Sequence, residues 1–173
     1  MQIRKASAKD AAAIQRLYTA TASFPGGLAR MAAEITDTYI EHNLNNALAT
    51  GICLVAEHPD DSAQLVAEIH CYKLQPAVFK HVLGELTISV HPDFQGQGLG
   101  RRIFETLLHE IRDHRPEILR VELITRESNT RAIELYQKLG FQIEGRLENR
   151  IEGTQGKEAD IPMAWFNPNY GNR

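Results

Sequence analysis

The sequence predicts an α/β (α+β) chain of about seven strands interspersed with helices. Three observations point there. Apolar residues switch between a period of two and a period near 3.6 in the order β-α-α-β-β-β-α-β-α-β-β. The best-marked strand, Val82 to Val90, passes through a glycine-rich turn into the best-marked helix, Leu99 to His114. The 173 residues, 43% of them hydrophobic, suit one domain around one core.

Each element has its own local reason. Gln2 to Lys5 reads as a short first strand. Ser7 is placed to cap a helix over residues 8 to 20, with Asp10 in its first turn and Ile14, Leu17 and Tyr18 as its apolar stripe. Phe24-Pro25-Gly26-Gly27 breaks the chain. A second helix is expected across residues 28 to 47, with Met31, Ile35 and Ile40 on its buried side. Gly51 to Glu57 and Gln64 to Lys73 form a hairpin around Pro59-Asp60-Asp61. In Val82 to Val90, Leu86, Ile88 and Val90 alternate with Glu85, Thr87 and Ser89, so each set takes one face. The next helix buries Leu99, Ile103, Leu107 and Ile111, with Phe104 and Leu108 beside them. Glu117 to Ile124 is a strand. Ser128 or Asn129 caps a helix to Leu139, which Gly140 stops. Phe141 to Arg150 and Lys157 to Phe166 close the chain as a hairpin around residues 152 to 156.

Composition narrows the function classes. A net charge of −3 makes neither nucleic acid nor an anionic membrane an expected partner. No apolar run approaches the ~20 residues of a membrane span, and Met1 to Ala6 lacks the apolar centre of a signal peptide. A cytoplasmic location is inferred. Cys53 and Cys71, the two cysteines, are too few for a disulfide framework or a zinc cluster and read as small core residues. No His, Cys and acid spacing suggests a metal.

The segment Gln95-Gly96-Gln97-Gly98-Leu99-Gly100-Arg101-Arg102 carries the functional signal. Such a turn aims bare backbone N–H groups at one point, which suits a phosphate. The helix start has no Ser, Thr, Asp or Asn cap, and it carries arginines where helices usually place acids. A pyrophosphate outside the chain repairs both faults. No Lys-Ser/Thr follows for a P-loop, and Arg101 stands where a dinucleotide fingerprint needs its third glycine.

The pattern Gln-x-x-Gly-x-Gly, made by Gln95, Gly98 and Gly100, resembles the GNAT superfamily of acetyl-CoA-dependent N-acetyltransferases. Asn129, Ala132, Leu135-Tyr136 and Gly140-Phe141 resemble that family's next motif, at a similar distance downstream. The resemblance covers roughly residues 82 to 145. It implies a mixed central sheet of about seven strands with helices on both faces, one N-acetyltransferase domain over residues 1–168 with a short tail at 169–173, and a parallel fourth and fifth strand that splay to admit acetyl-CoA. It also implies roles. Residues Gln95, Gly96, Gln97, Gly98, Leu99, Gly100 and Arg101 cradle the pyrophosphate. The backbone of Ile88 and Val90 holds the pantetheine arm and polarises the thioester, helped by a break in pairing such as a bulge. Asn129 contacts the cofactor. Tyr136 contacts it too and donates to the coenzyme A sulfur, although on the helix pattern alone it is one member of an apolar stripe. A homodimer is common in relatives.

The amine must lose a proton, because an alkylamine has a pKa near ~10.4. Glu85 is the candidate base through one or two waters; its other reading is a carboxylate on a solvated strand face. His70 and Tyr72 share one face of the preceding strand and are expected to line the acceptor pocket. Residues 20 to 48, 74 to 81 and 146 to 158 are expected to shape that pocket, with Phe24, Tyr39 and Phe79 as walls and Glu41, Glu148 and Asp160 attracting an ammonium group. The acceptor expected first is a primary amine on a small molecule, an amino acid or other amine metabolite, attacked directly in a ternary complex. A peptide or protein N-terminus comes second. A non-catalytic acyl-CoA-binding regulatory module is the reading from another class.

Overall fold

The computed structural model describes residues 1–24, 27–28, 30–153 and 156–172. The chain runs β1 (Ile3–Lys5), α1 (Ala11–Ala22), α2 (Asp37–Thr50), β2 (Ile52–His58), β3 (Asp61–Lys73), β4 (Val82–Val90), α3 (Leu99–His114), β5 (Arg120–Arg126), α4 (Thr130–Lys138), β6 (Gln142–Ile143), β7 (Leu147–Gly153) and β8 (Gly156–Phe166). One sheet takes all eight strands in the order β1-β2-β3-β4-β5-β8-β6, and β7 follows β6 along the far edge of β8. The expected count of about seven becomes eight because the chain between α4 and β8 makes two separate pairings.

β2 and β3 lie inside the sheet with both faces covered, so Ile52–Ala56 and Leu65–Cys71 are buried without a break, Glu68 and His70 included. On one face, α3 and α4 enclose Ile69, Cys71, Leu83, Val121, Leu123 and Met163. On the other, α1 and α2 cover Cys53, Val55 and Leu65. α3 is amphipathic as expected: Leu99, Ile103, Phe104, Leu107, Leu108 and Ile111 are all buried. Both cysteines are buried and free.

Several boundaries differ from expectation for local reasons. α2 begins at Asp37, nine residues past residue 28, because the Thr36 side chain accepts a hydrogen bond from the Tyr39 N–H and caps the helix there. Met31 therefore lies outside the helix and is 70% exposed, whereas Ile35 and Ile40 are buried. β5 begins at Arg120, because Glu117 belongs to the turn in which the Ile118 N–H bonds the Arg115 carbonyl. Ser7 and Asp10 form the expected capping box over a short 3-10 turn that leads into α1. Asp10 is also tied to Arg4 at 2.8 Å. The expected turn residues Thr154 and Gln155 lie outside the described residues.

Candidate active site

The turn from Gln95 to Arg101 has the geometry of an anion cradle. Gly96 and Gly98 adopt φ of +75° and +78°, the left-handed region that a side chain enters at a cost. Among the described residues, no acceptor bonds the N–H groups of Gly96, Gln97, Gly98, Leu99, Gly100 or Arg101; the ladder resumes at Arg102, whose N–H bonds the Gly98 carbonyl. A Cβ on Gly98 would meet nothing within 4 Å, so space stands open over the turn. Leu99 anchors the backbone from below with 1% exposure. Two side chains brace the loop rather than face outward: Gln95 Nε2 donates to the Val90 carbonyl at 3.0 Å, and Gln97 Nε2 donates to the Asp93 carbonyl at 3.0 Å. Arg101 is held by Glu105 at 2.8 Å.

The cation at this loop that sequence reasoning missed is Arg131, on the first turn of α4. Its Nη2 lies 3.8 Å from where a Cβ on Gly96 would sit. The signal was present, since an arginine in a first helical turn opposes the helix dipole as Arg101 does. Topology was needed to bring α4 beside the start of α3.

The parallel pairing of β4 with β5 is confined to Val82↔Arg120 and Leu83↔Val121. Beyond those pairs the strands part, and among the described residues the β5-facing edge of β4 has no strand partner. At the point of parting, β4 carries a bulge. His70 pairs with Thr87 and Tyr72 with Gly84, leaving an extra residue on β4, and Glu85 takes φ +51°. The bulge lies three residues before Ile88. From Thr87 to Val90 the strand pairs regularly with β3, so the freed backbone nearest the parting belongs to Glu85 and Leu86. The bulge also breaks the simple alternation: Leu83 and Leu86, three apart, face the same helices.

A cavity of about 360 Å³ fills the gap. Leu86, Leu123 and Met163 reach it from the α3–α4 face, while Arg120, Glu122, Ile124 and Pro162 alternate with them on β5 and β8 and belong to the opposite face. Residues of both faces line one cavity only where a sheet is open. Three carboxylates stand there. Glu122 and Glu144 pair with Arg120 at 2.9 and 2.5 Å, and that guanidinium holds Glu144 below the usual carboxylate range. The Glu85 carboxylate has no such partner among the described residues.

Tyr136 is 7% exposed, packed against Phe104 and Phe141 at centroid distances of 5.4 and 6.1 Å. Burial raises its phenol to about 12. Asn129 occupies the N-cap position of α4 but makes no capping bond through its side chain. Its Nδ2 instead reaches Thr125 Oγ1 at 3.4 Å, at the splayed end of β5.

Other expected pocket residues are placed differently. His70 is 3% exposed beneath α1 and α2, so it does not line the open cavity; β3 is central and its face there is covered. Glu148 is paired with Arg146, and Asp160 lies 3.7 Å from Arg150, which lowers the pull of either on an ammonium group. Glu41 is exposed on α2. Tyr39 lies under the Arg30 guanidinium at 4.1 Å. No helix among the described residues is long and apolar enough to cross a membrane.

Known proteins resemble this chain in sequence and in fold. The [ribosomal protein bS18]-alanine N-acetyltransferase of Escherichia coli K12 is 41% identical over 91 residues, which is 51% of this chain and 60% of that protein. The chain thus spans about 60% of that relative's length. The L-amino acid N-acyltransferase MnaT of the same organism is 33% identical over 69 residues, covering 40% of this chain and 38% of that one. Among solved structures, yncA of Salmonella typhimurium with its cofactor acetyl-CoA superposes with a TM-score of 0.82 at 20% identity, over 100% of this chain and 97% of that one. The acetyltransferase (GNAT) family model matches residues 12–141, and the chain belongs to that family.

Proposed function

We propose that this chain, with residues 1–168 as its domain, moves an acetyl group from acetyl-CoA to a primary amine of a small molecule, an amino acid or other amine metabolite, by direct attack within a ternary complex. The observation that carries the reading is the cavity open through the sheet at the β4–β5 parting, since a thioester and an amine must approach one carbon from opposite sides.

Bound acetyl-CoA supplies the acetyl group as a thioester. The protein's part divides among its own residues. The N–H groups of residues 96 to 101 bind the diphosphate, with Arg131 and Arg102 adding charge and Gln95 and Gln97 holding the loop in shape. The unpartnered edge of β4 through Ile88 and Val90 holds the extended arm as an added strand. Backbone freed at the bulge is the donor to the thioester oxygen. Glu85 takes the ammonium proton, directly or through water, being the cavity carboxylate without an ion-pair partner. Asn129 fixes the arm near β5, and the Tyr136 hydroxyl donates to the departing sulfur.

A thiol-release assay with acetyl-CoA against amino acids, polyamines, aminoglycosides and short peptides tests this. Release with a small amine is the expected result. The 41%-identical relative named for ribosomal-protein alanine favours a second reading, a peptide N-terminus as acceptor; release with peptides alone would establish it. Tight acetyl-CoA binding with no release for any acceptor would overturn both and leave a binding module.

A further inference from the structure

Behind the open face lies a buried polar cluster that none of the roles above uses. Glu68 on β3 is 1% exposed. Its Oε2 accepts from the Tyr18 hydroxyl of α1. Its Oε1 accepts from Cys53 Sγ at 3.1 Å and faces His70 Nδ1 at 2.9 Å. His70 Nδ1 is thereby committed to the carboxylate. Its other nitrogen, Nε2, is the one buried side-chain nitrogen or oxygen among the described residues without a hydrogen-bond partner. An unsatisfied buried group is costly enough to need a reason.

The surroundings supply one. His70, Glu68 and Tyr18 wall a cavity of about 10 Å³, closed by Ile14, Ile40, Leu44 and Asn43. That volume matches the space of roughly one water, on the order of 10–15 Å³. Asn43 is itself tied: its Nδ2 donates to the Tyr39 carbonyl at 3.0 Å, and its Oδ1 accepts from the Tyr72 hydroxyl at 3.1 Å. A carbonyl oxygen has a second lone pair to offer. The His70 ring stacks on Tyr72, with centroids 6.2 Å apart and planes 7° from parallel. Tyr72 pairs with Gly84, the residue before the bulged Glu85, and His70 pairs with Thr87, the residue after the bulge.

We infer that one internal water bridges His70 Nε2 to Asn43 Oδ1, closing a network of Tyr18, Glu68, His70, Asn43 and Tyr72, and that His70 is a positioning residue that holds the Glu85 bulge in register for the amine. The inference rests on the functional reading above and deepens it. The network ties α1, α2 and β3 to the two β4 residues that flank the bulge. It lies on the face away from the glycine turn, so it leaves the diphosphate cradle untouched.

The test has two arms. In a high-resolution crystal structure of the wild-type chain, a water is expected within hydrogen-bond reach of His70 Nε2, about 2.7–3.2 Å, and of Asn43 Oδ1; an empty site overturns the network. His70→Phe keeps a flat ring beside Tyr72 and removes both nitrogens, with a slightly larger ring and the loss of the ring partner of Glu68 Oε1. It is expected to lower kcat/KM for the amine on the order of tenfold or more, with the acetyl-CoA Kd by calorimetry within about twofold. Glu68→Gln, nearly isosteric, is the second variant should the first fail to fold, and the same split is expected. A folded variant with wild-type kcat and amine KM, altered only in Tm, overturns the positioning role. Wild-type chain without any acetyl transfer would sink the functional reading itself, whereas the water arm is decided without turnover.

Discussion

Replacing Tyr136 by Phe isolates a single hydroxyl. The ring stays wedged against Phe104 and Phe141, and desolvation is the one cause that raises the phenol, with no hydrogen bond contributing. Removing the hydroxyl strands no partner, so Tm is expected to hold within ~1 °C. The effect belongs to the reaction. A phenol at about 12 faces a leaving thiol near ~8.5, a gap of roughly 3.5 units or about 5 kcal/mol against complete proton transfer. In the proposed role the hydroxyl would act as a charge-assisted donor to the developing thiolate, worth about 1.5–3 kcal/mol. That converts to a fall in kcat of about 10- to 150-fold. Steady-state thiol release gives kcat, and calorimetry gives an acetyl-CoA Kd expected to be unchanged. Because the phenol keeps its proton well above the assay range, the wild-type rate should show no alkaline decline from Tyr136 between roughly pH 6 and 10. A kcat within twofold of wild type would remove Tyr136 from the chemistry.

Gly98→Val adds a branched side chain where φ is +78°, into space no protein atom fills; the fold is expected to survive at a cost of about 1–2 kcal/mol, while calorimetry shows acetyl-CoA binding lost. Glu85→Gln cannot accept a proton, so the rate–pH profile is expected to move to higher pH, where free amine is more abundant, and an unmoved profile would assign the proton to another route. Glu85→Gly relieves the φ of +51°, so its unfolding free energy by denaturant titration is expected to match or exceed wild type within ~1 kcal/mol although turnover falls. Asp10 is held below the ordinary aspartate value of 3.8, first by the Arg4 hydrogen bond. A depressed folded-state pKa contributes stability that is full above 3.8 and lost as pH falls through the folded value. Asp10→Asn should therefore lower Tm at pH 7, and thermal melts of the two proteins should converge under strongly acid conditions.

What was legible in the sequence was what local rules write. α3 was readable because its apolar residues recur at helical spacing, and β4 because its bounds coincide with its alternation. The glycine turn was readable as a defect: an uncapped, arginine-bearing helix start. What was not legible depends on distant partners. The start of α2 hinges on one bond from Tyr39 to Thr36, and nothing in the 28–36 composition distinguishes it from more helix. The bulge at Glu85 leaves only the odd spacing of Leu83 and Leu86 as its trace, since Leu86, Ile88 and Val90 keep their alternation after it. His70 looked like a pocket residue because it shares a face with Tyr72, and only the cover of α1 and α2 reveals that the face is sealed at His70. Arg131 joined the turn only once α4 was seen beside α3.

Among the described residues, four departures from ordinary folding fall together. Six consecutive N–H groups lack acceptors at the start of α3. A strand edge lacks a neighbour beyond Leu83. A glutamate sits at positive φ where those strands part. A nearly buried tyrosine hydroxyl makes no bond. Each departs from what folding alone favours, and a free-standing fold would be expected to remove them one at a time or distribute them. Instead they gather around the parting of β4 from β5 and the turn that follows β4, and each offers what a thioester with a diphosphate tail requires: donors for anions, an edge for an extended arm, a base for the amine and a donor for sulfur. The concentration of unmet polar groups along one path is stronger support for a ligand there than any single member, because each member taken alone has a structural explanation and the shared location has none.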